Sequence, residues 1–103
     1  MGKAENRIES AVTNYAEQHG FLTRKYNSPN VIGVPDQIIF GYSQVFLMEF
    51  KTPVGVLSGP QKRELKRIRD HGCKVFVVDS IKMGELIIDG AKMVGEGQNV
   101  TKD

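Results

Sequence analysis

The chain has 103 residues, 40% of them apolar and 25% charged, with a net charge of +2. That is the size of one domain and an ordinary globular composition, too near neutrality to hold nucleic acid by overall charge, so any such function must rest on a local site. One cysteine, Cys73, excludes an internal disulfide, two distant histidines exclude the usual zinc sets, and no apolar run reaches the roughly 20 residues of a membrane span. The expectation is one cytoplasmic domain over 1–103, without membrane attachment or small-molecule cofactor, its tail frayed from about residue 95.

Residues 5–19 place Ile8, Ala11, Val12, Tyr15 and Ala16 at helical spacing and end on His19-Gly20, a cationic last turn followed by a glycine stop. "FLTRKY" then alternates as a half-exposed strand does, and "NSPN" is loop chemistry. "QIIF" and "QVFLMEF", separated by Gly41, Tyr42 and Ser43, read as a β-hairpin. "TPVGVLSGP" is connection, and Pro60 suits the first turn of a helix capped by Ser58 or Gly59, running to about Arg69 and stopping at His71-Gly72. "KVFVVDS" is nearly continuous in apolar residues, the pattern of a strand inside a sheet. "IKMGELIIDGAKMV" predicts a further helix ending near Gly90, with or without a short strand after it. The order α-β-β-β-α-β-α describes an α/β fold of the α+β kind, one mixed sheet flanked by helices.

A turn centred on Tyr42 and Ser43 fixes the hairpin register: Ile38 faces Leu47, Phe40 faces Val45, and Asp36 faces Glu49. Alternation puts Lys51 on the same face as Glu49. Two opposed carboxylates repel unless a cation lies between them. A hard divalent ion such as Mg²⁺ meets that need with oxygen ligands, polarises a phosphodiester and acidifies water, while Lys51 would neutralise charge building on phosphorus oxygens. The plainer reading is a lysine bridging two surface carboxylates at a hairpin end.

Gln61 heads the stripe formed with Leu65 and Ile68 on the second helix, a polar amide facing the sheet. Glu9, at the edge of the first helix's apolar stripe, is a third carboxylate for the site, with Glu5 one turn earlier as its competitor. Lys62, Arg63, Lys66, Arg67 and Arg69 form a basic face suited to DNA phosphates or simply to solvent, since Glu64 and Asp70 interrupt it.

Taken together, a glutamate in a first helix, "GVPD", a strand ending "MEFK", "GVLSGPQ" opening a helix and then "HGCKVFVVDS" resemble the PD-(D/E)XK nuclease superfamily, and within it the virus-type replication-repair nuclease (VRR-NUC) domain, over residues 5–80. The resemblance implies a restriction-endonuclease-like core. It makes Asp36, Glu49 and the backbone carbonyl of Phe50 ligands of Mg²⁺ or Mn²⁺, Lys51 the catalytic lysine, Gln61 the glutamine near metal and scissile phosphate, and Glu9 the helix carboxylate and a further ligand. It also implies substrate-side roles for Lys25 and Ser28. Phe50 departs from the pattern, being bulkier than the aliphatic residue common between the acidic residue and the lysine.

The activity so implied is a metal-dependent, structure-selective DNA endonuclease leaving 5′-phosphate ends, acting as a homodimer on branched DNA such as a four-way (Holliday) junction. The apolar tail around Met83, Leu86, Ile87 and Met93 is the candidate dimer contact. The alternative from another class is a catalytically silent relative that binds branched nucleic acid or a partner protein. A sequence-specific enzyme is disfavoured because no segment is left for a recognition module.

Overall fold

The computed structural model describes residues 2–100, without the side chains of 98–100. Seven elements follow in the expected order: α1 (Lys3–Gln18), β1 (Leu22–Lys25), β2 (Gln37–Gly41), β3 (Gln44–Phe50), α2 (Gly59–Asp70), β4 (Lys74–Val78) and α3 (Ile81–Val100). The sheet order is β1-β2-β3-β4, antiparallel except for the parallel β3–β4 pair made through α2.

The hairpin register is the expected one, with Ile38 opposite Leu47, Ile39 opposite Phe46 and Phe40 opposite Val45. Its two-residue turn has Tyr42 at φ 53° and Ser43 at φ 62°, a left-handed pair that usually calls for Asn and Gly. Tyr42 is held there from outside the hairpin. Its hydroxyl donates to the carbonyl of His19 at 2.8 Å, and its ring packs on Phe21 with centroids 5.0 Å apart.

Period-two alternation along β3 divides the core. Phe46, Met48 and Phe50 face α1 and α3, where Ile8, Val12, Ala16 and Ile88 are buried; Leu47 turns to α2 and packs with Leu65 and Val75. Glu49 and Lys51 follow Leu47 in that alternation, so the sheet presents them to the α2 side.

Two expectations are corrected. β4 does not lie inside the sheet but at its edge. Its continuous apolar run has another cause: α2 covers Val75 and Val77 on one face, and the α1/α3 layer covers Phe76 and Val78 on the other. Nor does the last helix end near Gly90 or give way to a strand; α3 is one helix through Val100, so residues 95–100 are helical, while 101–103 lie outside the described residues.

Gly84 and Gly95 of α3 serve close packing, while Gly90 and Gly97 stand open within the helix. A Cβ at Gly84 would lie 2.4 Å from Val12, and one at Gly95 would lie 2.1 Å from the Cβ of Tyr42, whereas Gly90 has nothing within 4 Å. Gly84→Ala is therefore expected to lower stability by about 1–3 kcal/mol through overpacking. Gly90→Ala should raise it by about 0.5–1 kcal/mol through helix propensity alone. Thermal melts of the two variants should move in opposite directions.

Candidate active site

Beyond Gln37 the β2–β3 ladder departs from simple register. The Asp36 amide donates to the Met48 carbonyl at 3.0 Å, and Asp36 Oδ2 accepts from the Phe50 amide at 2.8 Å. The aspartate thus straddles Glu49 rather than pairing squarely with it. It still shares a small pocket with Glu49, Phe50, Lys51, Gln61 and Glu5.

Gln61 reaches this pocket because of how α2 begins. Ser58 is the N-cap: its Oγ accepts from the Gln61 amide at 3.2 Å, and Gln61 Oε1 accepts in return from the Ser58 amide at 2.8 Å. With the carbonyl oxygen fixed, Nε2 is free to donate to Glu49 Oε2 at 3.1 Å. The loop before Asp36 is pressed onto this helix start at Gly33, whose φ is 91° and where a Cβ would lie 2.7 Å from backbone atoms of Pro60. A side chain there would push Asp36 and Gln61 apart.

Lys51 Nζ lies 3.8 Å from Glu49 Oε2. Even so, burial first and then the Asp36 carboxylate push the Glu49 carboxyl up to about 7, with Lys51 opposing and Glu5 and Glu9 adding to the rise. Asp36 is also raised, mainly by burial and further by Glu9, against the Phe50 N–H, Lys25 and Lys51. Glu49 Oε1 is buried with no hydrogen-bond partner among the described residues. A buried carboxylate oxygen without a donor, beside a second carboxylate, fits an oxygen-seeking cation.

Among the described residues no three His, Cys, Asp or Glu side chains converge as a ready-made ligand set. Mg²⁺ characteristically takes one or two carboxylates and completes its shell with water and substrate oxygens, which the Asp36–Glu49 pair with the Phe50 carbonyl nearby would suit.

The other sequence-predicted residues fall around this centre. Glu9 is buried on the α1 side, where Oε2 accepts from Gln37 Nε2 at 2.6 Å and from Lys25 Nζ at 3.0 Å. It lies outside the pocket lining that its competitor Glu5 joins. Glu9 and Lys25 reach the site only through their charges, Glu9 raising and Lys25 lowering the Asp36 carboxyl. The Ser28 carbonyl closes a turn with the Val31 amide at 3.3 Å, and Ser28 does not line the pocket. Lys62 and Arg63 are exposed on α2; Arg63 faces a neighbouring cleft. Sequence reasoning missed Gln37, hidden as the first residue of "QIIF"; only its polarity at an inward strand position marks it.

No protein-family model matches the sequence, and no curated protein does. Among solved structures, one described as a VRR_NUC domain matches with a TM-score of 0.79 at 28% identity, covering 85% of this chain and 97% of its own. A second, a VRR_NUC domain protein, matches with a TM-score of 0.71 at 16% identity, covering 87% and 88%, a likeness of fold alone. The mixed sheet, its flanking helices and these matches define a nuclease-fold domain. Within that class the fold is that of a VRR_NUC domain, at single-domain size.

Proposed function

We propose that this chain is a single-domain, Mg²⁺- or Mn²⁺-dependent endodeoxyribonuclease that hydrolyses phosphodiester bonds in branched DNA, such as four-way junctions, in the cytoplasm. The observation that carries the reading is the Asp36–Glu49 pair, held at one end of the sheet with an unpartnered buried oxygen and bordered by Lys51 and Gln61. Asp36, Glu49 and the Phe50 carbonyl would hold the ion. Bound there, it would supply Lewis-acid polarisation of the phosphodiester and easier deprotonation of water.

The chain's own residues do the rest. Lys51 places a fixed positive charge where the phosphorus oxygens gain charge as water attacks and the P–O3′ bond breaks, leaving a 5′-phosphate and a 3′-hydroxyl. Gln61 holds Glu49 Oε2 and, through Ser58, ties the site to the start of α2. Glu9 orients Lys25, which brings a further cation to the substrate side. Of the two helix carboxylates, Glu5 is the one at the pocket.

A homodimer goes with this reading, since two symmetric incisions in a junction suit a two-fold axis. It is supported by the apolar strip of α3, where Leu86, Met93 and Val94 are exposed beside the edge strand β4. The competing reading, a silent module that binds branched DNA or a partner protein, draws on the absence, among the described residues, of three acidic side chains converging as a ready-made ligand set.

Incubating the protein with single-stranded, duplex, flap and four-way-junction DNA, with and without Mg²⁺ or Mn²⁺, separates them. Metal-dependent cutting of branched DNA is expected, and Asp36→Asn should lose it. Tight junction binding with no cutting under either metal would sink the nuclease reading in favour of the silent module.

A further inference from the structure

Next to the acidic pocket lies a cleft of about 400 Å³, lined by Asn30, Val31 and Ile32 from the loop before Asp36 and by Pro60, Arg63 and Arg67 from α2. The two linings adjoin at the start of α2. Pro60 precedes Gln61 at the helix start, and Gly33 presses the loop against the backbone of both.

The cleft has two chemical halves. Arg63 makes no ion pair among the described residues, while Arg67 is paired with Glu64 at 3.0 Å. On the loop side of the cleft Ile32 is 79% exposed; outside the cleft, Val54 and Val56, on the loop joining Lys51 to Ser58, are 88% and 78% exposed. These are the three most exposed large hydrophobics among the described residues, and all lie on the two loops that leave the pocket. A lone exposed aliphatic needs no explanation, but one set against an unpaired guanidinium at the rim of an acidic pocket matches a strand whose phosphate is charged and whose base face is apolar.

We propose that this cleft takes an unpaired nucleotide of the DNA strand entering the site, with Arg63 on its phosphate and Ile32 against its exposed base face. A flap offers such a nucleotide ready unpaired, whereas a continuous duplex or a fully paired four-way junction must first be opened. Ile32 is thus a specificity-determining residue, and selection of flap-bearing over duplex DNA originates in this loop. The inference rests on the nuclease reading for its class of substrate, but it concerns binding, which is measurable without cleavage.

The test is fluorescence anisotropy in EDTA, using a flap DNA with 2-aminopurine at the unpaired position and a blunt duplex of equal length. The wild-type protein should prefer the flap by about tenfold and change the 2-aminopurine emission. Ile32→Ser should cut that preference to about twofold and suppress the emission change. Arg63→Ala should weaken binding to both DNAs and reduce the salt slope by about one. Because Ile32 is exposed, the melting curve of Ile32→Ser should superpose on wild type, separating lost binding from lost fold. Full flap preference and an unchanged emission response in Ile32→Ser would overturn the proposal. If no DNA is cut with any metal while the Ile32-dependent preference stands, the nuclease reading fails and the cleft assignment holds.

Discussion

Glu49→Gln is expected to stabilise the metal-free protein above neutral pH and, in the same molecule, to remove metal-dependent DNA cleavage. Glu49 is 2% exposed, and its carboxyl is pushed from 4.5 to about 7 by burial and by Asp36. The folded state therefore holds a proton that the unfolded state has already released between those two values. Stability is fully present below about 4.5 and is lost as pH rises through about 7. By pH 8 the difference amounts to about 3 kcal/mol against the fold, and a neutral glutamine is spared it. For a chain of this size each kcal/mol moves the melting midpoint by roughly 4–8 °C, so wild type should melt well below Glu49→Gln at pH 8 and close to it at pH 4. Adding Mg²⁺ should raise the wild-type midpoint and leave the variant's nearly unmoved, since the variant lacks the charge proposed to bind the ion. Cleavage should fall by about 10³-fold or more, as each lost 1.36 kcal/mol of transition-state stabilisation costs tenfold. Melts at both pH values, repeated with Mg²⁺, are the check. A variant that is destabilised at pH 8 and still cuts would show Glu49 to be an ordinary structural acid.

This opposition of stability and function bears on what the sequence could disclose. The hairpin was legible because its register follows from a turn position and a period of two, both local properties. Lys51 followed from the same alternation. The start of α2 was legible too, from Pro60 in a first turn with Ser58 or Gly59 before it; that Ser58 and Gln61 form the capping box and leave Gln61 Nε2 directed at Glu49 emerges only with α2 docked. Other features were set by partners distant in the chain. Gly90 reads as a stop because a glycine in an apolar stripe is a local end signal, whereas the continuation of α3 past it involves Gly95 closing on Tyr42, a partner distant in the chain. β4 reads as interior because cover on both faces gives the same composition at an edge as in the middle. The choice between Glu5 and Glu9 was open for a related reason. One turn of helix separates them, and only the position of Gln37, brought to α1 by the β2 strand, shows which carboxylate is bound away from the pocket.

Lys51→Ala is the second substitution with a large expected effect, and it separates charge stabilisation from metal binding. Nζ lies 3.8 Å from Glu49 Oε2 on a side chain only 17% exposed, so little solvent screens it. Removing this cation withdraws the influence that holds the Glu49 carboxyl down, and the metal-free protein should become less stable above neutral pH, opposite to Glu49→Gln. The carboxylates and the Phe50 carbonyl remain, so Mg²⁺ should still raise the melting midpoint. Cleavage, however, should drop by about 10²–10³-fold, the usual consequence of removing one preorganised group that meets developing charge. Lys51→Arg should restore less than a tenth of the loss, because a planar guanidinium does not reproduce a compact ammonium in a site this enclosed. Gln61→Ala should cost stability as well as rate, since Gln61 both completes the cap of α2 and donates to Glu49. Single-turnover cleavage rates, measured beside Mg²⁺ titrations of the melting midpoint, distinguish the three variants. Retained metal stabilisation with lost cutting assigns Lys51 to the phosphate, whereas parallel loss of both would reassign it to holding the acidic pair together.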